Sequence, residues 1–189
     1  MIKAIIWDWC GVMATNDIKG ASRKLSEQLG IPFEAVEEIL VDYAWSMEAT
    51  PEYEEYLEGL AKRLKISVEE IKDALNNHPP NEVYEFAKSL KGKYKQYVLS
   101  NQLRFRSDYI KANMDLSFFD DVFFSNEIGH IKPSREAFDF VLKAIGLKAE
   151  ECVFVDDWKK NIEAAKELGF KVILFTNLDS LKEELEQIL

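Results

Sequence analysis

The amino-acid sequence predicts an α/β fold: a doubly wound, Rossmann-like parallel sheet core carrying an inserted all-helical segment. Three features of the 189-residue chain lead there. From about residue 81 onward, short apolar runs of strand length alternate with segments of helical period, the pattern of a parallel sheet covered on both faces. Between about 16 and 78 the period is helical throughout. Ahead of that stretch stands one apolar run, KAIIW at 3–7, which reads as the buried first strand of the later sheet.

The first strand ends at Asp8 and opens into a loop containing Gly11. In the insert, Leu25, Gln28 and Leu29 are spaced for a helix that Gly30 ends. Pro32 precedes a second helix with Val36, Ile39, Leu40 and Tyr43 in step. Thr50-Pro51 begins a third, with Tyr53, Tyr56, Leu57, Leu60 and Leu64 on one side. Ser67, with Glu70 three residues on, is a capping box for a fourth. His78-Pro79-Pro80 then breaks the chain, and the core resumes. Helix 81–91 leads to strand 95–99 (KQYVL), a helix near 103–113 and strand 121–125 (DVFFS). Helix 134–145, strand 152–155 (CVFV), helix 158–168, strand 171–175 (KVILF) and helix 179–188 complete it. The expected division is 1–15 with 80–189 for the core and 16–79 for the insert.

Composition narrows the function. Acidic residues (34) outnumber basic ones (24), a formal charge of -10, which argues against a nucleic-acid surface. No run is long enough for a membrane span and the apolar N-terminus is too short for a signal peptide, so the cytoplasm is the expected location. Two cysteines, Cys10 and Cys152, make no disulfide framework.

In open parallel sheets, ligands bind beyond the carboxyl ends of the strands. Asp8 follows the first strand, Ser100 and Asn101 follow 95–99, and Asp156 and Asp157 follow 152–155; Lys132-Pro133 lies ahead of a helix. Any one of these is an ordinary turn or cap residue. Together they suggest phosphoryl transfer. Carboxylates gathered on one edge repel unless a cation is present, and Mg²⁺ prefers oxygen ligands. A carboxylate can attack phosphorus, dividing one hard hydrolysis into two easier displacements. Ser100, Asn101 and backbone N–H groups at a helix start suit the phosphate oxygens, and Lys132 suits the charge that develops.

Four motifs in this order resemble those of the haloacid dehalogenase superfamily: IIWDWCGVM, VLSNQ, IGHIKP and VFVDDWKKNI. The resemblance covers the whole chain, the insert standing where that superfamily carries a helical cap. The Asp-Asp-x-x-x-Asn form of the fourth motif resembles sugar-phosphate phosphatases and the phosphatase domain of soluble epoxide hydrolase. It implies a Mg²⁺-dependent phosphatase acting on a small phosphorylated metabolite. Asp8 is then the nucleophile, Asp157 a direct Mg²⁺ ligand and Asp156 an outer-shell carboxylate. Ser100 and Asn101 would bind the phosphoryl group, Lys132 would bridge nucleophile and phosphate, and Asn161 would orient the acidic cluster. One position departs. The superfamily usually has a second Asp, the general acid and base, where this chain has Cys10. The backbone carbonyl of Cys10 would still serve Mg²⁺, and its thiol stands where the acid–base belongs. Two other functions stay open: a metal-independent haloacid dehalogenase, against which Asp156-Asp157 counts, and a low-activity protein that binds phosphate esters.

Other residues have two readings each. Trp9 either walls the metal site or packs on the sheet beside Trp7. Arg104 and Arg106 supply charge at a pocket mouth or line a solvated helix face. Tyr43, Trp45 and Met47 face substrate or fill the insert's core. His130 lines an entrance or is a loop residue, and His78 reads as part of the linker.

Overall fold

Ala4–Trp7 (β1) is buried along its whole length, as expected at the centre of a sheet covered on both sides. In the computed structural model it is the middle strand of five. The structure describes the backbone of residues 1–15, 17–47, 53–76 and 79–189, and the side chains of these except 17, 42–47, 53 and 54. β2 (Lys95–Ser100) pairs with one edge of β1, and β3 (Asp121–Phe124) flanks β2. β4 (Cys152–Asp156) pairs with the other edge, and β5 (Lys171–Leu174) flanks β4. All four pairings are parallel, in the order β3-β2-β1-β4-β5.

By its contacts the chain divides into two compact units, Met1–Ala14 with Pro80–Leu189 and Thr15–Pro79. The second holds α1 (Asp17–Leu29), α2 (Phe33–Met47), α3 (Tyr53–Leu64) and α4 (Val68–Leu75). Helix α1 packs on α2 and α4, and α3 on α4, burying Leu25, Val36, Leu40, Leu57, Leu60 and Ile71. Gly30 (φ +65°) leaves α1 in the left-handed region that a side chain disfavours. The capping box of α4 forms as expected: Ser67 Oγ accepts from the Glu70 N–H, and Glu70 returns the contact to the Ser67 N–H. The Thr50-Pro51 helix start and His78 lie outside the described residues, as do the side chains of Tyr43, Trp45 and Met47. Among the described residues, no helix is long and apolar enough to cross a membrane.

The first unit carries α5 (Glu82–Ser89), α6 (Arg104–Asn113), α7 (Ser125–Ile128), α8 (Arg135–Ile145), α9 (Lys159–Glu167) and α10 (Leu178–Ile188). Alternation along the strands sorts them onto two faces. Ile5 and Trp7 join Val98, Val153 and Val155 on one face, packed against Val83, Tyr84, Ile110 and Leu181. Ala4 and Ile6 join Leu99, Phe123 and Phe154 on the other, packed against Phe138, Val141, Ile162 and Ala165. Trp7 keeps its indole N–H satisfied inside this core by donating to Gln96 Oε1 at 3.1 Å.

Two boundaries differ from the sequence expectation in ways that matter to the site. Ser100 and Asp156 are not loop residues but the last paired residues of β2 and β4, opposite Phe124 and Leu174. The strand expected over 121–125 stops at Phe124, and Ser125 opens the short helix α7. The Ser125 hydroxyl accepts from the backbone N–H of Gln102 at 3.0 Å, a bond between separate segments with no local sequence signature.

Candidate active site

The strand order turns back at β1, so the carboxyl ends of β1, β2 and β4 lie side by side, where such sheets bind ligands. Asp8 continues the ladder past β1, its N–H donating to Val155 O at 2.9 Å. The chain then curls tightly: the N–H groups of Met13 and Ala14 donate to Trp9 O, and that of Gly11 to Ala14 O. None of these bonds uses the Cys10 carbonyl. Gly11 has φ +83°, and a Cβ on it would strike the Asp157 carboxylate, with Cγ only 2.6 Å away. Only glycine admits both this turn and this neighbour.

Lys132 is 2% exposed, and its ammonium sits between two carboxylates: Asp8 Oδ1 at 2.8 Å and Asp156 Oδ2 at 2.7 Å. Asn101 clamps its backbone, accepting from the Lys132 N–H and donating to the Lys132 C=O, both at 2.8 Å. Burial opposes the charged ammonium, but Asp156 and Asp8 together outweigh it and hold the Lys132 pKa above its ordinary value. Asp156 is fully buried and spoken for at both oxygens. Oδ1 accepts from the Trp158 N–H and the Asn161 amide, Oδ2 from Lys132 and the same amide.

Asp8 and Asp157 are less satisfied. Asp8 Oδ1 accepts from the Trp9 N–H at 2.7 Å as well as from Lys132. Burial still pushes the Asp8 carboxyl up to about 7; Asp156 and Asp157 add to the rise and Lys132 opposes it. Asp157 is exposed as a residue, yet desolvation, then the charge of Asp156, raises its carboxyl too. One oxygen from each of Asp8, Asp156 and Asp157 lies within 4.8 Å of the others. Three hard oxygen donors so close, two of them raised, form a site with negative charge to spare.

Of the residues expected from the sequence, the structure brings Asp8, Cys10, Ser100, Lys132, Asp156 and Asp157 to one edge, together with Asn101. Its amide oxygen and one N–H grip the Lys132 backbone. Ser100 is 1% exposed and accepts from Gln102 Nε2 at 3.1 Å. Cys10 Sγ accepts from Gln102 Nε2 at 3.1 Å and from Arg106 Nη2 at 3.3 Å. The two arginines therefore part: Arg104 is on the solvated side of α6, and Arg106 is buried beside Cys10. Trp9 packs in the core, edge-on to Tyr84 at 6.1 Å. His130 lies against Phe140, ring centroids 6.2 Å apart. Gln102 is the site residue that the sequence reading passed over. It falls inside the VLSNQ run, but an amide in a loop gives no sign of where it points.

A family model described as haloacid dehalogenase-like hydrolase matches residues 2–169. D-ribitol-5-phosphate phosphatase of Bacteroides thetaiotaomicron is 29% identical over 213 aligned positions, covering 100% of this chain and 99% of that protein. Glyceraldehyde 3-phosphate phosphatase of Methanocaldococcus jannaschii is 57% identical over 53 residues, 28% of this chain and 23% of that protein. A wild-type Bacteroides thetaiotaomicron enzyme solved with magnesium and inorganic phosphate superposes with a TM-score of 0.73 at 23% identity, covering 96% of this chain and 99% of that one. At that identity the likeness concerns the fold.

Proposed function

Since the chain belongs to the haloacid dehalogenase-like hydrolase family, we propose that it is a Mg²⁺-dependent phosphatase of small phosphomonoesters, sugar or polyol phosphates first, working through a phosphoryl-Asp8 intermediate. The observation that carries this reading is the buried Lys132 ammonium held between Asp8 and Asp156, with Asp157 closing an all-oxygen cluster. The full-length similarity to a polyol-phosphate phosphatase supports the substrate class.

The donor set fits Mg²⁺. Asp8, Asp157 and the backbone carbonyl of Cys10 would hold the ion, with the saturated Asp156 behind them. Bound there, Mg²⁺ would offset carboxylate repulsion and draw charge from phosphoryl oxygens. The residues of the chain do the rest. An Asp8 oxygen attacks phosphorus as the bond from phosphorus to the ester oxygen breaks, and the leaving oxygen takes a proton from solvent water. Water then attacks phosphorus as the bond from phosphorus to Asp8 breaks, returning a proton to solvent, releasing inorganic phosphate and restoring the carboxylate. Lys132 fixes Asp8 and offsets charge on the phosphoryl group, with Asn101 holding its backbone in place. Ser100 donates its hydroxyl to a phosphoryl oxygen. Asn161 and the Trp158 N–H hold Asp156 in place, directed at Lys132.

The test is phosphate release from a panel of phosphomonoesters, in Mg²⁺ and in EDTA, by wild type and Asp8→Asn. Release should need Mg²⁺ and fall by several orders of magnitude in the variant. Hydrolysis at a near wild-type rate by Asp8→Asn would rule out the covalent route, and haloacid turnover in EDTA would turn the assignment to a dehalogenase.

A further inference from the structure

Gln102 is 6% exposed and held at both ends. Its backbone is pinned by Ser125, whose hydroxyl accepts from the Gln102 N–H at 3.0 Å and lies 3.3 Å from the Gln102 C=O. Its side chain turns back to the strand edge, where Nε2 stands 3.1 Å from both Ser100 Oγ and Cys10 Sγ. The other end of the amide, Oε1, is buried and has no hydrogen-bond partner among the described residues. Buried polar atoms in folded proteins are nearly always paired, so an orphan calls for a reason. Here the amide gives up a partner for its carbonyl while aiming its N–H groups at two atoms of the site.

The direction of the bond to Ser100 is what matters. A hydroxyl has one proton and two lone pairs. When Gln102 donates to Ser100 Oγ, one lone pair is used, and the hydroxyl proton points elsewhere. The ionised oxygens of a phosphoryl group are acceptors only, so Ser100 binds them as a donor. We infer that Gln102 is a positioning residue for phosphoryl binding: its amide N–H sets the polarity of the Ser100 hydroxyl, keeping the proton free for a phosphoryl oxygen. The inference rests on the reading of Ser100 as a phosphoryl contact. Gln102 touches Cys10 Sγ as well, but in phosphoryl binding it acts through Ser100.

Gln102→Glu reverses the bond at almost constant shape. A carboxylate can only accept, so it takes the Ser100 proton and turns lone pairs toward the phosphoryl group. Gln102→Met removes the donor without substituting an acceptor. The probes are inorganic phosphate, as product inhibitor with Mg²⁺, and p-nitrophenyl phosphate as substrate. The variants are Gln102→Glu, Gln102→Met, Ser100→Ala, and each Gln102 change combined with Ser100→Ala. Gln102→Glu should raise the inhibition constant for phosphate and KM together by about tenfold, and Gln102→Met by less. On the Ser100→Ala background each Gln102 change should add less than about twofold, because two groups acting through one contact are not additive. A general packing role predicts equal losses on both backgrounds, and that result overturns the inference. So does unchanged phosphate inhibition in Gln102→Glu while Ser100→Ala weakens it. If Ser100→Ala itself leaves phosphate inhibition and KM unchanged, the phosphoryl-contact reading of Ser100 fails instead. Should Gln102→Glu not fold, Gln102→Met decides by the same comparison.

Discussion

At the scale of single residues, Cys10 stands where the motif resemblance leads one to expect an acid–base carboxylate. Its thiol has two donors as neighbours, Gln102 and the buried Arg106. Wild type should therefore favour aryl phosphates, whose leaving groups need little protonation, over alkyl phosphates. Cys10→Asp should help alkyl esters more, within the roughly 10²–10⁴-fold that a positioned acid–base supplies. Arg106 would pair with the new carboxylate and offset its repulsion from Asp8. Comparing kcat/KM for one alkyl and one aryl phosphate checks this; loss on both would mean that the thiol already suits the site. Asp8 gives a second prediction, with its sign set by burial. Its folded pKa of about 7 lies above the ordinary 3.8, so the folded state favours the protonated carboxyl. The stability this carboxyl contributes is full below about pH 4 and is lost as pH rises through about 7. In EDTA, Asp8→Asn should thus melt higher than wild type at pH 8, and the gap should narrow towards pH 4. Gly11 gives a third. Gly11→Ala would drive a methyl into the Asp157 carboxylate, so the rise in Tm on adding Mg²⁺ should shrink or vanish. An unchanged Mg²⁺ shift would mean that Asp157 has room to move.

At the scale of elements, strand and helix order was legible because each element carries its own period and punctuation. The capping box shows how local that information is. Ser67 and Glu70 are three residues apart, and the bond between them needs no other part of the chain. Ser67→Ala should cost about 1 kcal/mol of stability, read by urea unfolding, and leave phosphate release unchanged. The ends of β2 and β4 were less legible. Nothing in VLSNQ says that Ser100 is still paired while Asn101 is not; the register against Phe124 decides it. Helix α7 escaped for a similar reason, since a single turn opened by Ser125 has too few residues to show a period.

At the scale of the whole molecule, the site was legible in its carboxylates and lysine, since strand ends gather at one edge whatever the loops do. Its amides were not. Asn101 serves the backbone of a residue 31 positions away, and Gln102 a thiol 92 positions away. Contacts of that reach exist only once the fold has formed. The same holds for the juncture where the chain leaves the core and comes back. Ala14 and Pro80 form an antiparallel bridge, and the N–H of Asn81 donates to Met13 O at 2.9 Å. To the sheet, then, Thr15–Pro79 is a detour that starts and finishes at one point, like a siding with a single set of points. A Gly-Ser loop of a few residues in its place would span the gap and lower the loop-closure entropy. The spliced protein should fold cooperatively and still gain thermal stability from Mg²⁺, as calorimetry with and without the ion would show. A shortcut of that kind would also let one core carry many different detours, so that the sheet's carboxyl edge and the inserted helices could change separately over evolutionary time.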